Sequence, residues 1–142
     1  QYTANLLKIL GDNGVRFFGE ETYRMYWNVV ATRDFVAGGN DTIRKVVRAL
    51  DRANSYTMNN DDAAQRVAME SFGLDSAQLK ELWTDYEFAL SLDQTLLMTL
   101  ESQARWAMRQ KKSPARQMPD FRGFFYLDAL QSVDPSAVTV IR

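Results

Sequence analysis

The stretch Met25-Tyr26-Trp27-Asn28-Val29-Val30-Ala31-Thr32 (MYWNVVAT) decides how the rest of the chain is read. Most of its positions are β-branched or aromatic, the composition of a strand. On pleated backbone Met25, Trp27, Val29 and Ala31 face one way, and Tyr26, Asn28, Val30 and Thr32 face the other. Apolar residues on both faces imply cover on both, as in a mostly parallel sheet. Upstream, Val15-Arg16-Phe17-Phe18 reads as a second short strand behind the turn Asp12-Asn13-Gly14. A helix over residues 2–10, ended by Gly11 as a left-handed cap, precedes that turn. Two strands cannot make an independently stable sheet. The strand over 25–32 therefore wants neighbours that this chain does not contain, supplied by missing chain or by a second copy.

Downstream the pattern is almost purely helical. Asn40 and Asp41 open a helix with Ile43, Val46, Val47, Leu50 and Ala53 on one stripe. A second helix starts at Asn60-Asp61-Asp62, turns Ala64, Val67, Ala68 and Phe72 inward, and stops at Gly73. A third begins at Asp75, with Gln78 completing a capping-box spacing and Leu79, Leu82 and Trp83 as its apolar positions. Residues 85–91 alternate and predict a short extended stretch bearing Tyr86, Phe88 and Leu90 on one side. The longest helix is expected over 93–111, with Leu96, Leu97, Leu100, Ala104, Ala107 and Met108 inward and a basic last turn. Ser113 to Asp120 is a loop holding two of the three prolines. Asp120 then caps a final helix bearing Phe121, Phe124, Phe125, Leu127 and Leu130, ended before Pro135.

Composition narrows the function classes. The chain has 142 residues, 17 basic against 18 acidic, with no Cys and no His. A formal charge of −1 supplies no global field for nucleic acid or an anionic membrane. Lack of Cys and His removes disulfides, thiolate nucleophiles, ordinary zinc sites and His-based general bases. An enzyme would have to work with Asp, Glu, Tyr or Lys, and no recognisable constellation of them is present, so no catalysis, cofactor or metal is expected. No apolar run approaches the ~18 residues of a membrane span, and the start carries no signal-peptide pattern. A first residue Gln1 set against a helical pattern predicts a processed or excised piece.

Three stretches carry a resemblance: residues 23–36 (YRMYWNVVATRDFV), the helix from Asn40 to Asn54, and the end from Pro119-Asp120-Phe121 through Asp134-Pro135-Ser136-Ala137-Val138-Thr139. In order and character they resemble the C-terminal half of periplasmic solute-binding proteins of the nitrate/sulfonate/taurine and thiamine-precursor type, which serve ATP-driven (ABC) importers. The long helix with Ala104-Arg105-Trp106 fits the same succession. The resemblance implies a mainly α chain with a few short strands, forming partial α/β lobes of a two-lobed, type II periplasmic-binding-protein-like fold. Residues 1–24 would be the remnant of the second lobe; residues 25–142 would be the crossing strand and the helical C-terminal part of the first. It also implies a small-molecule ligand in the full-length protein, a membrane permease as partner, no nucleic acid and no membrane span. The expected location is periplasmic, or extracytoplasmic and lipid-anchored in the parent chain. Most ligand contacts would lie upstream of Gln1, so the chain alone is expected not to close on a ligand.

The crossing strand runs beside the cleft in that resemblance, which makes Tyr23, Tyr26, Trp27 and Asn28 the candidate ligand-binding residues. Rings would form an apolar wall, and the amide or hydroxyls would donate to an oxyanion. Asn28 leads, because an amide amid apolar strand residues needs a partner when buried. Other features have simpler readings. Arg33-Asp34 is expected to be a local ion pair ending the strand. Arg105, Arg109, Lys111, Lys112, Arg116 and Arg122 form a solvated helix end. Asn59-Asn60-Asp61-Asp62 lacks the alternating oxygens and central Gly of a calcium loop and fits capping. Glu20-Glu21 would diverge on extended backbone. Asn40-Asp41-Thr42 matches a glycosylation sequon, and Met98 and Met108 are expected to fill the core. A self-associating helical interaction module is the competing class, and a homodimer by strand exchange through 15–18 and 25–32 is the expected assembly.

Overall fold

From Thr32 onward each helix starts and stops for a local reason. In the computed structural model, which describes residue 6 and residues 9–15, 24–115 and 117–141 (the side chains of 78, 81 and 82 excepted), helix α1 spans Arg33–Gly38. The Thr32 hydroxyl opens it by accepting from the Phe35 N–H at 3.3 Å. Gly39 joins α1 to α2, Asn40–Asn59: its N–H donates to the Phe35 carbonyl at 2.7 Å, while its own carbonyl accepts from the Ile43 N–H at 2.9 Å. A Cβ at Gly39 would lie 2.6 Å from that Phe35 oxygen, so only glycine fits the joint. Helix α3, Asp61–Phe72, ends where Gly73 adopts φ 63° and Leu74 N–H reaches back to Met69 O at 3.2 Å, a Schellman closure. Helix α4 spans Ser76–Trp83 and α5 spans Gln94–Arg109, the latter capped by Asp93. A 3-10 turn at Phe121–Phe124, helix α6 at Leu127–Val133 and a 3-10 turn at Pro135–Ala137 complete the order.

The described residues divide into two compact units. One holds Ala53–Ala89 and the described residues before Arg24. Its core is Ala64 on α3 and Leu79 on α4, both buried. The Trp83 indole donates to the Asp61 carboxylate, tying the end of α4 to the start of α3. Trp83, Phe88 and Tyr86 continue as a ring cluster, with centroids 4.9 Å and 6.1 Å apart.

The other unit holds Arg24–Arg52 and the described residues from Leu90 onward. Its buried residues are Leu96 and Leu97 on α5 with Leu127, Ala129 and Leu130 on α6. The chain end is stitched to the start of α5. Leu92 donates to Ala137 O at 2.9 Å and accepts from Thr139 N–H at 3.0 Å, forming an isolated parallel bridge with Val138.

The molecule is mainly helical, as the periodicities predict, but several expectations need correction. Residues 24–32 form no helix, turn or bend, and they join no β-ladder. No strand exists among the described residues, so the expected few short strands reduce to the Leu92–Val138 bridge. The reason is that strand-forming composition does not by itself make a strand: a ladder needs a second strand to pair with. Of the expected strand at 15–18 only Val15 is described, and it is exposed coil; 16–18 lie outside the described residues. Of the alternating stretch 85–91, expected to be extended, Asp85 lies in a turn and 86–91 form no ladder. The longest helix is α2, whose half-buried line is Ile43, Val47, Leu50, Asn54 and Thr57, with Val46 and Ala53 exposed. Val67 and Phe72 on α3 and Met98 on α5 are exposed rather than inward. The final aromatic helix is split, because Phe125 and Tyr126 take extended backbone angles.

The α1–α2 joint gives a test in which two neighbouring glycines respond with opposite sign. Gly38→Ala meets open space and is expected to raise stability by about 0.5 kcal/mol through the unfolded state. Gly39→Ala meets backbone oxygen and is expected to lower it by about 1–3 kcal/mol. Urea denaturation of the two variants measures both.

Candidate functional site

Of the four residues that the sequence nominates, three are described, and they are consecutive in the run 24–32. Tyr23 lies outside the described residues. Tyr26 is half-buried, and its hydroxyl donates to Asp93 Oδ1 at 3.3 Å. The same oxygen accepts the Leu96 N–H at 2.7 Å, so one carboxylate caps α5 and anchors the run. Burial pushes the Tyr26 phenol above its ordinary value of 10.0, the Asp93 charge and hydrogen bond add to this, and Arg24 opposes it. Two residues on, Asn28 is exposed and makes no hydrogen bond to a described residue. The argument that it is a buried amide in need of a partner therefore does not hold. Trp27 is 79% exposed.

The arrangement thus separates the three. Tyr26 is committed to the protein's own scaffold, while Trp27 and Asn28 present a ring and an amide to solvent. Chemically this can stack on an apolar or planar group and donate to an oxygen.

Neighbouring features clarify what the site does not include. Arg33 does not pair with Asp34 as expected; its guanidinium lies 5.5 Å over the Phe124 ring. The basic helix end is locally partnered, in keeping with a solvated surface. Arg105 reaches Glu101 at 4.0 Å, Arg122 makes a fork on Asp120 at 2.9 and 3.0 Å, and Lys112 lies 4.8 Å over Trp106. Arg116, Glu20 and Glu21 fall outside the described residues.

At the α2–α3 junction the Asn60 side chain does not cap α3, as its position predicts. It bonds back to Tyr56 O at 3.0 Å, and Asn59 bonds back to Ser55 O at 2.7 Å. Asn59 to Asp62 line a shallow open cleft with Ala63 and Arg66, and no metal-ligating group of His, Cys, Asp or Glu occurs among the described residues. Asn40-Asp41-Thr42 forms the first turn of α2.

Two residues escaped the reading of the sequence. Asp93 was not singled out, although an Asp immediately before an apolar-periodic helix is an N-cap signal. The hydroxyl of Tyr126, at the entry to α6, is buried with no hydrogen-bond partner among the described residues. No local pattern marks such an atom, because its burial depends on long-range packing.

Comparison with protein-family models, with curated proteins and with solved structures finds no match to this chain. No helix among the described residues is long and apolar enough to cross a membrane.

The Tyr26–Asp93 contact makes a pH-dependent prediction. Because the folded phenol titrates above 10.0, its contribution is fully present below that pH and is lost as pH rises through the folded value. An ultraviolet difference titration of the protein against Tyr26→Phe is expected to show the late-titrating phenol. Asp93→Asn is expected to move that titration down without abolishing the share due to burial. Asp93→Ala also removes the α5 cap and is expected to cost about 1–2 kcal/mol of stability.

Proposed function

We propose that this chain is the C-terminal part of the solute-binding component of an ABC importer for a small anion or heterocycle, of the sulfonate, nitrate, taurine or pyrimidine class. The observation that carries the reading is the run 24–32. It has strand-like composition, forms no helix or turn, is exposed apart from the half-buried Tyr26, and leads at once into Arg33-Asp34-Phe35, the order that the resemblance gives to the return crossing between two lobes. A type II two-lobed fold would give that run the neighbours its composition asks for. In this reading Trp27 forms an apolar wall of the cleft and the Asn28 amide donates to an oxyanion or ring acceptor. Tyr23 completes the set. Tyr26 positions the run through Asp93 and contributes its ring.

The protein would bind and deliver its ligand without chemistry, docking on a membrane permease from the periplasmic or lipid-anchored extracytoplasmic side. A second reading, a self-associating helical module without a small ligand, draws support from the exposed Val67 and Phe72 on α3 and Met98 and Trp106 on α5.

Calorimetry distinguishes them. A protein carrying this chain as its C-terminal part is expected to bind one of taurine, nitrate, bicarbonate or a pyrimidine, and Asn28→Ala is expected to weaken that binding about tenfold or more, the worth of one hydrogen bond to a charged group. Binding unaltered by Asn28→Ala overturns the site. No binding of any of these compounds overturns the class and leaves the helical module.

A further inference from the structure

The chain is nearly neutral as a whole, but its charge is unevenly spread. Residues 105–122 hold six basic residues against one acidic, while the rest of the chain holds 11 against 17. Such a patch attracts anions locally even where the net charge supplies no field. The fold gathers it further. Helix α5 packs on the Phe121–Phe124 turn, and Arg33 at the start of α1 lies over the Phe124 ring. Cations from α1, α5 and the turn are thereby brought together within one unit.

Local partners neutralise little of this charge. Of the carboxylates of Asp34, Glu101 and Asp120, only that of Asp120 makes a close pair there, with Arg122. Glu101 reaches Arg105 at 4.0 Å with both side chains exposed, where an ion pair counts for little. Arg109 and Lys111 are exposed and have no acidic partner among the described residues.

Two rings decide what kind of anion fits. Trp106 is 52% and Phe124 64% exposed, and each has a cation over one face, Lys112 at 4.8 Å and Arg33 at 5.5 Å. An exposed ring beside a cation suits a bilayer interface, where the ring enters the acyl boundary and the cation stays at phosphate level. A single-stranded nucleic acid stacks its bases on free ring faces, and here each ring has one face taken. An acidic protein segment would satisfy the cations without needing the rings.

We propose that the end of α5, the adjoining Lys111-Lys112 and the Phe121–Phe124 turn form a docking surface for an anionic lipid bilayer. Trp106 and Phe124 enter the interface, and Arg33, Arg109, Lys111 and Lys112 lie over headgroup phosphates. Clustered lysines and arginines near a membrane surface each add to binding, and that binding weakens with salt. The proposal rests on this patch and not on the importer reading, and its test uses vesicles with no solute, so the two fail separately.

Sedimentation with vesicles tests it. The chain is expected to pellet with vesicles of phosphatidylglycerol and phosphatidylcholine in equal parts, to stay in solution with phosphatidylcholine alone, and to be released by salt. The double variant Lys111→Glu, Lys112→Glu is expected to lower the partition coefficient at least tenfold with circular dichroism unchanged. Lys111→Arg with Lys112→Arg is expected to bind as the unaltered chain does. The blue shift of tryptophan emission on adding anionic vesicles is expected to be lost in Trp106→Phe and kept in Trp27→Phe. No binding to anionic vesicles, equal binding to phosphatidylcholine, binding indifferent to the glutamate variant, or a blue shift that belongs to Trp27 overturns the proposal. So does capture of a single-stranded oligonucleotide in place of the vesicles.

Discussion

One oxygen of Asp93 serves two parts of the larger unit at once. It accepts the Leu96 N–H that opens α5, and it accepts the Tyr26 hydroxyl from a residue 67 positions earlier in the chain. The first bond sets where α5 starts and therefore which of its faces turns Leu96 and Leu97 inward. The second places the run 24–32 beside that helix start. Leu92, immediately before, holds the chain end through its own carbonyl and N–H. The helix start, the run and the tail are thus registered against each other within three residues, 92–94, of which Gln94 also accepts from Ile141 N–H at 3.3 Å.

That registration explains why the run is both ordered and open. Tyr26 and Thr32 both spend their side chains on the fold, one on Asp93 and the other on the cap of α1. Trp27, Asn28, Val29 and Val30 are left facing outward. An apolar run of this kind in water forgoes roughly 25 cal/mol for every Å² it could bury, so the balance favours whatever strand can lie along it. In the proposed importer component those neighbours are other parts of a lobe.

Much of the helical architecture was legible because its signals are local. Gly73 ends α3 for a steric reason visible in three residues, and the i, i+3, i+4 spacing of Leu96, Leu97 and Leu100 selects the inner face of α5. What was not legible depends on distance or on the partner. Periodicity places Val67 and Phe72 on a face of α3, but it does not say whether anything covers that face. The break at Phe125-Tyr126 carries no proline, and the only nearby glycine, Gly123, sits inside the preceding turn. Strand composition in 25–32 predicts a strand, and none forms there, because composition says nothing about whether a neighbour is present to pair with. For the candidate residues, the resemblance places Tyr26, Trp27 and Asn28 on one run, whereas the Asp93 contact that separates Tyr26 from the other two joins residues 67 apart and has no local signal.

Hydrogen exchange of the backbone amides of Trp27 through Val30, followed as a function of protein concentration, tests most directly whether this run is left uncovered by its own chain. The account predicts fast exchange of these amides, because no ladder pairs them among the described residues. Strong protection that is already complete at the lowest concentration and does not change with it would contradict the account, because the chain would then be covering the run itself.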